Sequence, residues 1–236
     1  MYKYYKYCLL LLFGCLLAAC DSGDIYPEEK PVEEVKVNIN AVFHFENTEA
    51  FPQNYRVVWG AFVGTSPYPL SCEVAEKPIA GVWRAEPLQG VPRGTSHMAL
   101  ALVEKTENKV KYVFKKFPLD NSSAEINISE TVDLATFERV QTQIFTPQCI
   151  QCHGVGSFAA NLDLTEENAY ANLVDVPSKE DNSPKNRVTK YNLQNSFLLD
   201  VLTTRPETIT TNHTTLSSFD AEDDVNLVRA WILSDN

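Results

Sequence analysis

Methionine is nearly absent. Of 236 residues only two are Met, Met1 and Met98, so the second half of the chain has no methionine sulfur to offer a metal. Positive charge is also scarce. Lys and Arg number 20 against 31 Asp and Glu, a formal charge of −11. The few basic residues are scattered, which excludes a nucleic-acid surface, because phosphate contacts need clustered cations. Glycine is thin, with nine residues, and no Gly-rich loop that would cradle a phosphate occurs. After residue 20 no apolar run is long enough to cross a bilayer. The cysteines give no disulfide framework, since three of the six fall within the first twenty residues. There are no internal repeats.

What is present begins at the N-terminus. Lys3 and Lys6 precede an apolar run from Cys8 to Leu17, too short to span a membrane as a helix. "LAAC" ends at Cys20 and resembles the lipobox of bacterial lipoproteins. That resemblance implies a signal peptide over 1–19 and lipidation of Cys20. It places the mature protein outside the cytoplasm, held by lipid to a bacterial membrane, at the outer membrane or a periplasmic face. Residues 20–34 are polar and acidic and read as a tether.

From Val35 the pattern has period two. Val35, Val37, Ile39, Ala41, Phe43 and Phe45 alternate with largely polar residues, the signature of a half-buried strand. Further strands are expected over 55–64, 98–105, 109–117 and 124–129, with Glu107-Asn108 as a hairpin turn. The expectation for 35–130 is an all-β sandwich domain, immunoglobulin-like. Cys72 reads as a small buried apolar residue, and His44 falls on the solvated face of its strand.

Near residue 131 the period changes to that of helices. Helices are expected over 133–145, capped by Asp133 and ended by Pro147, and over 165–174, 193–202 and 220–233, the last capped by Asp220. Between the first two lies "TPQCIQCHGVG". Its Cys149-Ile150-Gln151-Cys152-His153 is C-x-x-C-H, two thiols spaced to take the two vinyl groups of a haem and an imidazole placed for the iron. At this composition about 0.003 chance matches are expected. A zinc site would need Cys72 or His213 as a further ligand and lacks a second paired knuckle. A thioredoxin-like C-x-x-C should open a helix after a strand, and here a helix precedes it.

"VDLATFERVQTQIFTPQCIQCHG", "LDLTEENAYANLV", "NSFLLDVL" and "LVRAWI", in that order, resemble the planctomycete-type single-haem class I cytochrome c domains. The resemblance covers about 132–236. It implies an all-α cytochrome c fold for 131–236, one covalent haem c linked through Cys149 and Cys152, and His153 as proximal iron ligand. It also implies that Phe137 meets Trp231 where two helices cross. Many relatives carry a Met-Pro before the last helix, and its sulfur takes the distal position. This chain has none there, and His213 occupies that loop. His213 is the candidate distal ligand, with an open iron, Met98 or His97 as alternatives. Lys179, Lys185, Arg187 and Lys190 form the one basic cluster of this half. Arg187, whose fork suits a carboxylate, is a candidate contact for a haem propionate, or else a solvated loop residue. The function expected is single-electron transfer between redox partner proteins in the cell envelope, with no catalysis of its own. The alternatives are a haem peroxidase, a small-molecule sensor, or a surface binding module with an auxiliary haem.

Overall fold

Alternating burial builds the first half. The computed structural model describes residues 34–78, 80–119, 125–154, 156–179, 184–207, 209–215 and 222–235. Cys20, the signal segment, the tether up to residue 33 and Asp220 lie outside the described residues. The strands are β1 (Glu34–Val35), β2 (Asn38–Glu46), β3 (Tyr55–Phe62), β4 (Ser71–Ala75), β5 (Val82–Arg84), β6 (Val91–Pro92), β7 (His97–Glu104), β8 (Val110–Pro118) and β9 (Glu125–Asp133). They form a three-stranded sheet, β5-β2-β9, and a four-stranded sheet, β4-β3-β7-β8, with β1 and β6 paired separately. Along β2, Ile39, Ala41, Phe43 and Phe45 are buried while Asn38, His44 and Glu46 are exposed. The buried face meets the other sheet. Phe43 lies 5.3 Å from Trp59 and 6.4 Å from Phe117, ring centre to ring centre. Each such side chain contributes about 2–3 kcal/mol when fully buried.

The fold class expected from the sequence needs correcting in both halves. An N-terminal β region forms, but it is not the antiparallel immunoglobulin arrangement. β2 and β9 are adjacent and parallel, in register from Asn38↔Glu125 to Glu46↔Asp133. Residue 131, where the sequence period changes, lies inside β9.

The all-α cytochrome c fold expected for 131–236 does not form. Among the described residues strand outweighs helix, and the helices after residue 136 are short. The helices are α1 (Phe137–Val140), a π-helix over Gln141–Cys149, α2 (Ala169–Leu173), α3 (Phe197–Thr203) and α4 (Asp223–Leu233). Between them lie a small hairpin, β10 (His153–Gly154) with β11 (Ser157–Phe158), and single 3-10 turns. The physical reason is local competition. Asn, Asp, Ser and Thr side chains take backbone partners that a helix would need. Asp163 accepts from the Thr165 N–H at 2.9 Å, and Asn192 accepts from the Asn195 N–H at 3.0 Å. Asp133 ends β9 and accepts from the Ala135 N–H at 2.7 Å, so Thr136 becomes the cap and accepts from the Arg139 N–H at 3.2 Å. Pro147 sits inside the π-helix without ending it.

Residues 34–236 form one compact unit, and a single apolar cluster runs from Phe43 and Trp59 to Leu227 and Trp231. The polar joint is specific. Both oxygens of Asp223, at the start of α4, accept backbone N–H groups from Gln53 and Asn54 at 2.7 Å each. Among the described residues no helix is long and apolar enough to cross a membrane. Asp223→Ala should lower stability by about 2–3 kcal/mol, since two hydrogen bonds to a buried carboxylate go at once. Chemical denaturation reads it, and an unchanged midpoint would refute the joint.

Candidate functional site

The π-helix brings Ile144, Phe145, Gln148 and Cys149 onto the wall of one cavity of about 480 Å³. Ile150 N–H donates to Phe145 O at 3.1 Å, the wide spacing of this helix type, which recurs at functional sites. Leu164, Leu173, Leu198, Val201 and Leu202 make the rest of the wall largely apolar. His153, Arg187 and His213 also face this space. Cys152 lies one turn past Cys149, is exposed, and does not line the cavity.

His153 is fixed by the hairpin that carries it. Its carbonyl accepts from Leu164 N–H at 2.6 Å, and its Nδ1 lies 2.9 Å from the Ala159 carbonyl. A carbonyl only accepts, so Nδ1 carries the hydrogen. Burial holds the imidazole below its ordinary range, the Ala159 carbonyl opposes this, and His213 and Arg187 add to the lowering. The ring is therefore neutral near pH 7, with the lone pair of Nε2 free to bind a metal. Gly154 lets the chain pass close behind. A Cβ there would sit 3.1 Å from Ile150 O, Ile150 Cβ and Thr165 Cγ2.

His213 opens a 3-10 turn, His213–Thr215. Asn212 holds that turn, accepting from Thr214 N–H at 3.2 Å and from Thr214 Oγ1 at 2.8 Å. The His213 and His153 ring centres are 6.2 Å apart, with planes 25° from parallel. Metal–imidazole bonds run about 2 Å, so one metal ion bound end-on by a nitrogen of each of two imidazoles would set the ring centres about 6 Å apart. Arg187 is buried and donates to the carbonyls of Asn172 (2.8 Å), Ala160 and Asn161 (3.2 Å each). It is thus a brace of the cavity wall as well as its buried cation. Lys179 and Ser178 lie beside it on the wall, and Ser178 Oγ is buried without a hydrogen-bond partner.

The other candidates lie elsewhere. Met98 is 1% exposed in the core between the sheets. The His97 ring stacks on Phe62 at 5.6 Å, and its Nδ1 is 2.9 Å from Ser96 Oγ. Neither lines the cavity. Cys72, expected to be buried, is exposed, because β4 is an edge strand and one of its faces is open. The basic cluster disperses. Lys185 pairs with Asp200 at 2.7 Å, and Lys190 donates to Trp231 O at 2.6 Å. Phe137 and Trp231 meet, 5.1 Å between ring centres.

Two chemistries fit poorly. Burial pushes the Cys149 thiol up to about 12, and the Asp224 and Cys152 charges add to it. A dithiol nucleophile needs the opposite shift. Among the described residues no three His, Cys, Asp or Glu side chains converge to hold a metal ion. A helix is expected near α3 from the sequence, but that its Leu198, Val201 and Leu202, with Ser178 and Gln148, line the cavity depends on tertiary packing.

Gly154→Ala should cost about 1–3 kcal/mol, because a rigid backbone oxygen is among the atoms the new methyl meets. A thermal melt that matches the wild type would show that the close approach behind His153 is not needed.

No protein-family model, no curated protein and no solved structure matches the chain.

Proposed function

We propose that this chain carries one haem c, linked through Cys149 and Cys152, with His153 on one side of the iron and His213 on the other. Its work is single-electron transfer in a bacterial cell envelope, where lipid on Cys20 holds it to the membrane. One observation carries the reading. The His153 and His213 ring centres lie 6.2 Å apart, and both rings line one apolar cavity whose wall includes the first cysteine of a C-x-x-C-H motif.

Cys149, His153 and His213 line the cavity and fit the group, while Cys152 is exposed one turn past Cys149. The cavity, about 480 Å³ and mostly aliphatic, suits a large flat apolar ligand. His153 presents Nε2 because Nδ1 is committed to Ala159. Arg187, Lys179 and Ser178 supply two cations and an unmet hydroxyl where carboxylates of the ligand would need donors. The haem, when bound, supplies an iron that accepts and returns one electron. The chain's part is to fix two nitrogen ligands, exclude water with the α3 and π-helix side chains, and present a docking face. An acidic protein, −11 overall, favours a redox partner with a basic face. The resemblance over 132–236 adds the order of the motif and its flanking segments. With imidazole in place of a methionine sulfur, the potential should lie below that of Met-ligated relatives.

Replacing both Cys149 and Cys152 with Ala in the exported protein should abolish the haem stain that survives denaturing electrophoresis. A stain persisting at the correct mass would overturn the covalent attachment.

His213→Ala should keep the covalent haem and convert a low-spin ferric spectrum to a high-spin or water-bound one. A spectrum identical to the wild type would place the sixth ligand elsewhere.

A further inference from the structure

The two histidines differ in what stands behind them. His153 donates its Nδ1 hydrogen to Ala159 O at 2.9 Å, in a hairpin pinned by the Leu164 N–H. That bond orients the ring and strengthens Nε2 as a donor, and such outer partners are worth about 10–100-fold in metal affinity. His213 Nδ1 is buried and has no hydrogen-bond partner. Asn212 steadies the backbone of its turn through Thr214 and Thr215, not the ring. When Nε2 of a neutral imidazole binds a metal, Nδ1 must carry the hydrogen. That hydrogen would be buried and unmet at His213, and swinging the ring out to water would satisfy it. The ground left behind is apolar. α3 packs against the His213 turn and lines the cavity with Leu198, Val201 and Leu202, beside Ile209. This α3 side of the cavity favours an uncharged entrant over an anion, which would have to shed its hydration and would be drawn instead toward Arg187 and Lys179 on the same lining.

We propose that His213 is a displaceable ligand, and that the site admits a small uncharged ligand of the carbon monoxide class in its place. This rests on the reading of a haem held between His153 and His213. In the exchange the Nε2 lone pair of His213 leaves ferrous iron, and the carbon lone pair of carbon monoxide replaces it. The oxidation state does not change and no proton moves.

The test uses the full-length, reduced, haem-loaded protein mixed with carbon monoxide. The wild type should go over to a carbon monoxide spectrum. Its rate should rise with carbon monoxide and then level off at the rate of His213 release. His213→Ala should bind with a rate that stays linear in carbon monoxide and exceeds the wild-type plateau about tenfold or more. A wild type inert to saturating carbon monoxide, beside a reactive His213→Ala, would overturn displacement and leave the two-histidine reading standing. Equal, linear rates in both proteins, or a His213→Ala spectrum unchanged from wild type, would remove His213 from the iron and take the two-histidine reading with it. The levelling of the wild-type rate decides the matter even if the variant does not fold.

Discussion

One buried cation organises the wall on which everything else stands. Arg139 is 1% exposed, and burial lowers its guanidinium to about 10. A charge so placed needs partners, and two of its three nitrogens find them, while Nη2 is buried without a hydrogen bond. Nη1 donates to Leu134 O at 2.6 Å and Ala50 O at 3.2 Å, Nε to Gln143 Oε1 at 3.3 Å, and the face of Phe114 on β8 lies 5.3 Å away. Gln143 passes the contact on, donating to Asp224 at 2.8 Å, and the charges of Asp223 and Asp224 favour the cation. One guanidinium thereby fixes the end of β9, the turn after β2, the start of the π-helix and the start of α4. Losing any one of these partners would strand a buried polar group, so the parts hold one another in a single arrangement.

The site follows from that arrangement. With the start of the π-helix pinned, its far end delivers Cys149 to the cavity, and the next turn delivers His153 into the hairpin. α4 is pinned at the same junction. Its Trp231 packs on Phe137 at 5.1 Å and takes Lys190 over its ring at 5.2 Å. The cavity is thus a gap left between elements whose positions are set by a joint outside it.

The strands were legible where one face meets the core and the other meets water. The alternation along β2 is a direct record of burial, and the hairpin of β7 and β8 carries its own turn, with Asn108 at φ 54°. The parallel pairing of β2 with β9 was not legible, because nothing local distinguishes a strand that returns beside its distant partner from one that pairs with its neighbour. The helices of the second half were overread for a stated reason. Apolar spacing promises a helix, but the side chains of Asp163, Asn172, Asn192 and Ser196 bond the nearby backbone and cut it short. Cys72 was misplaced because edge position, not residue type, decides its exposure. The C-x-x-C-H motif and His213 could be named from sequence, since they depend on residue identity and order. The orphaned Nδ1 of His213 could not, because it is a property of what fails to pack against the ring.

That asymmetry bears on how the proposed centre would behave in its two oxidation states. Electron transfer is fast when ligands stay put, and the His153 side, with its hydrogen bond and its pinned hairpin, meets that demand in both states. Ferric iron carries one more charge and holds a nitrogen donor more firmly, which offsets the unmet hydrogen at His213. Ferrous iron holds it less firmly, so release of His213 belongs to the reduced state. Linkage then fixes the sign of the coupling. A ligand that binds only after reduction stabilises the reduced form and must raise the potential. In the proposed centre the same orphaned nitrogen would therefore tie the electron affinity of the iron to the presence of a small molecule in the cavity.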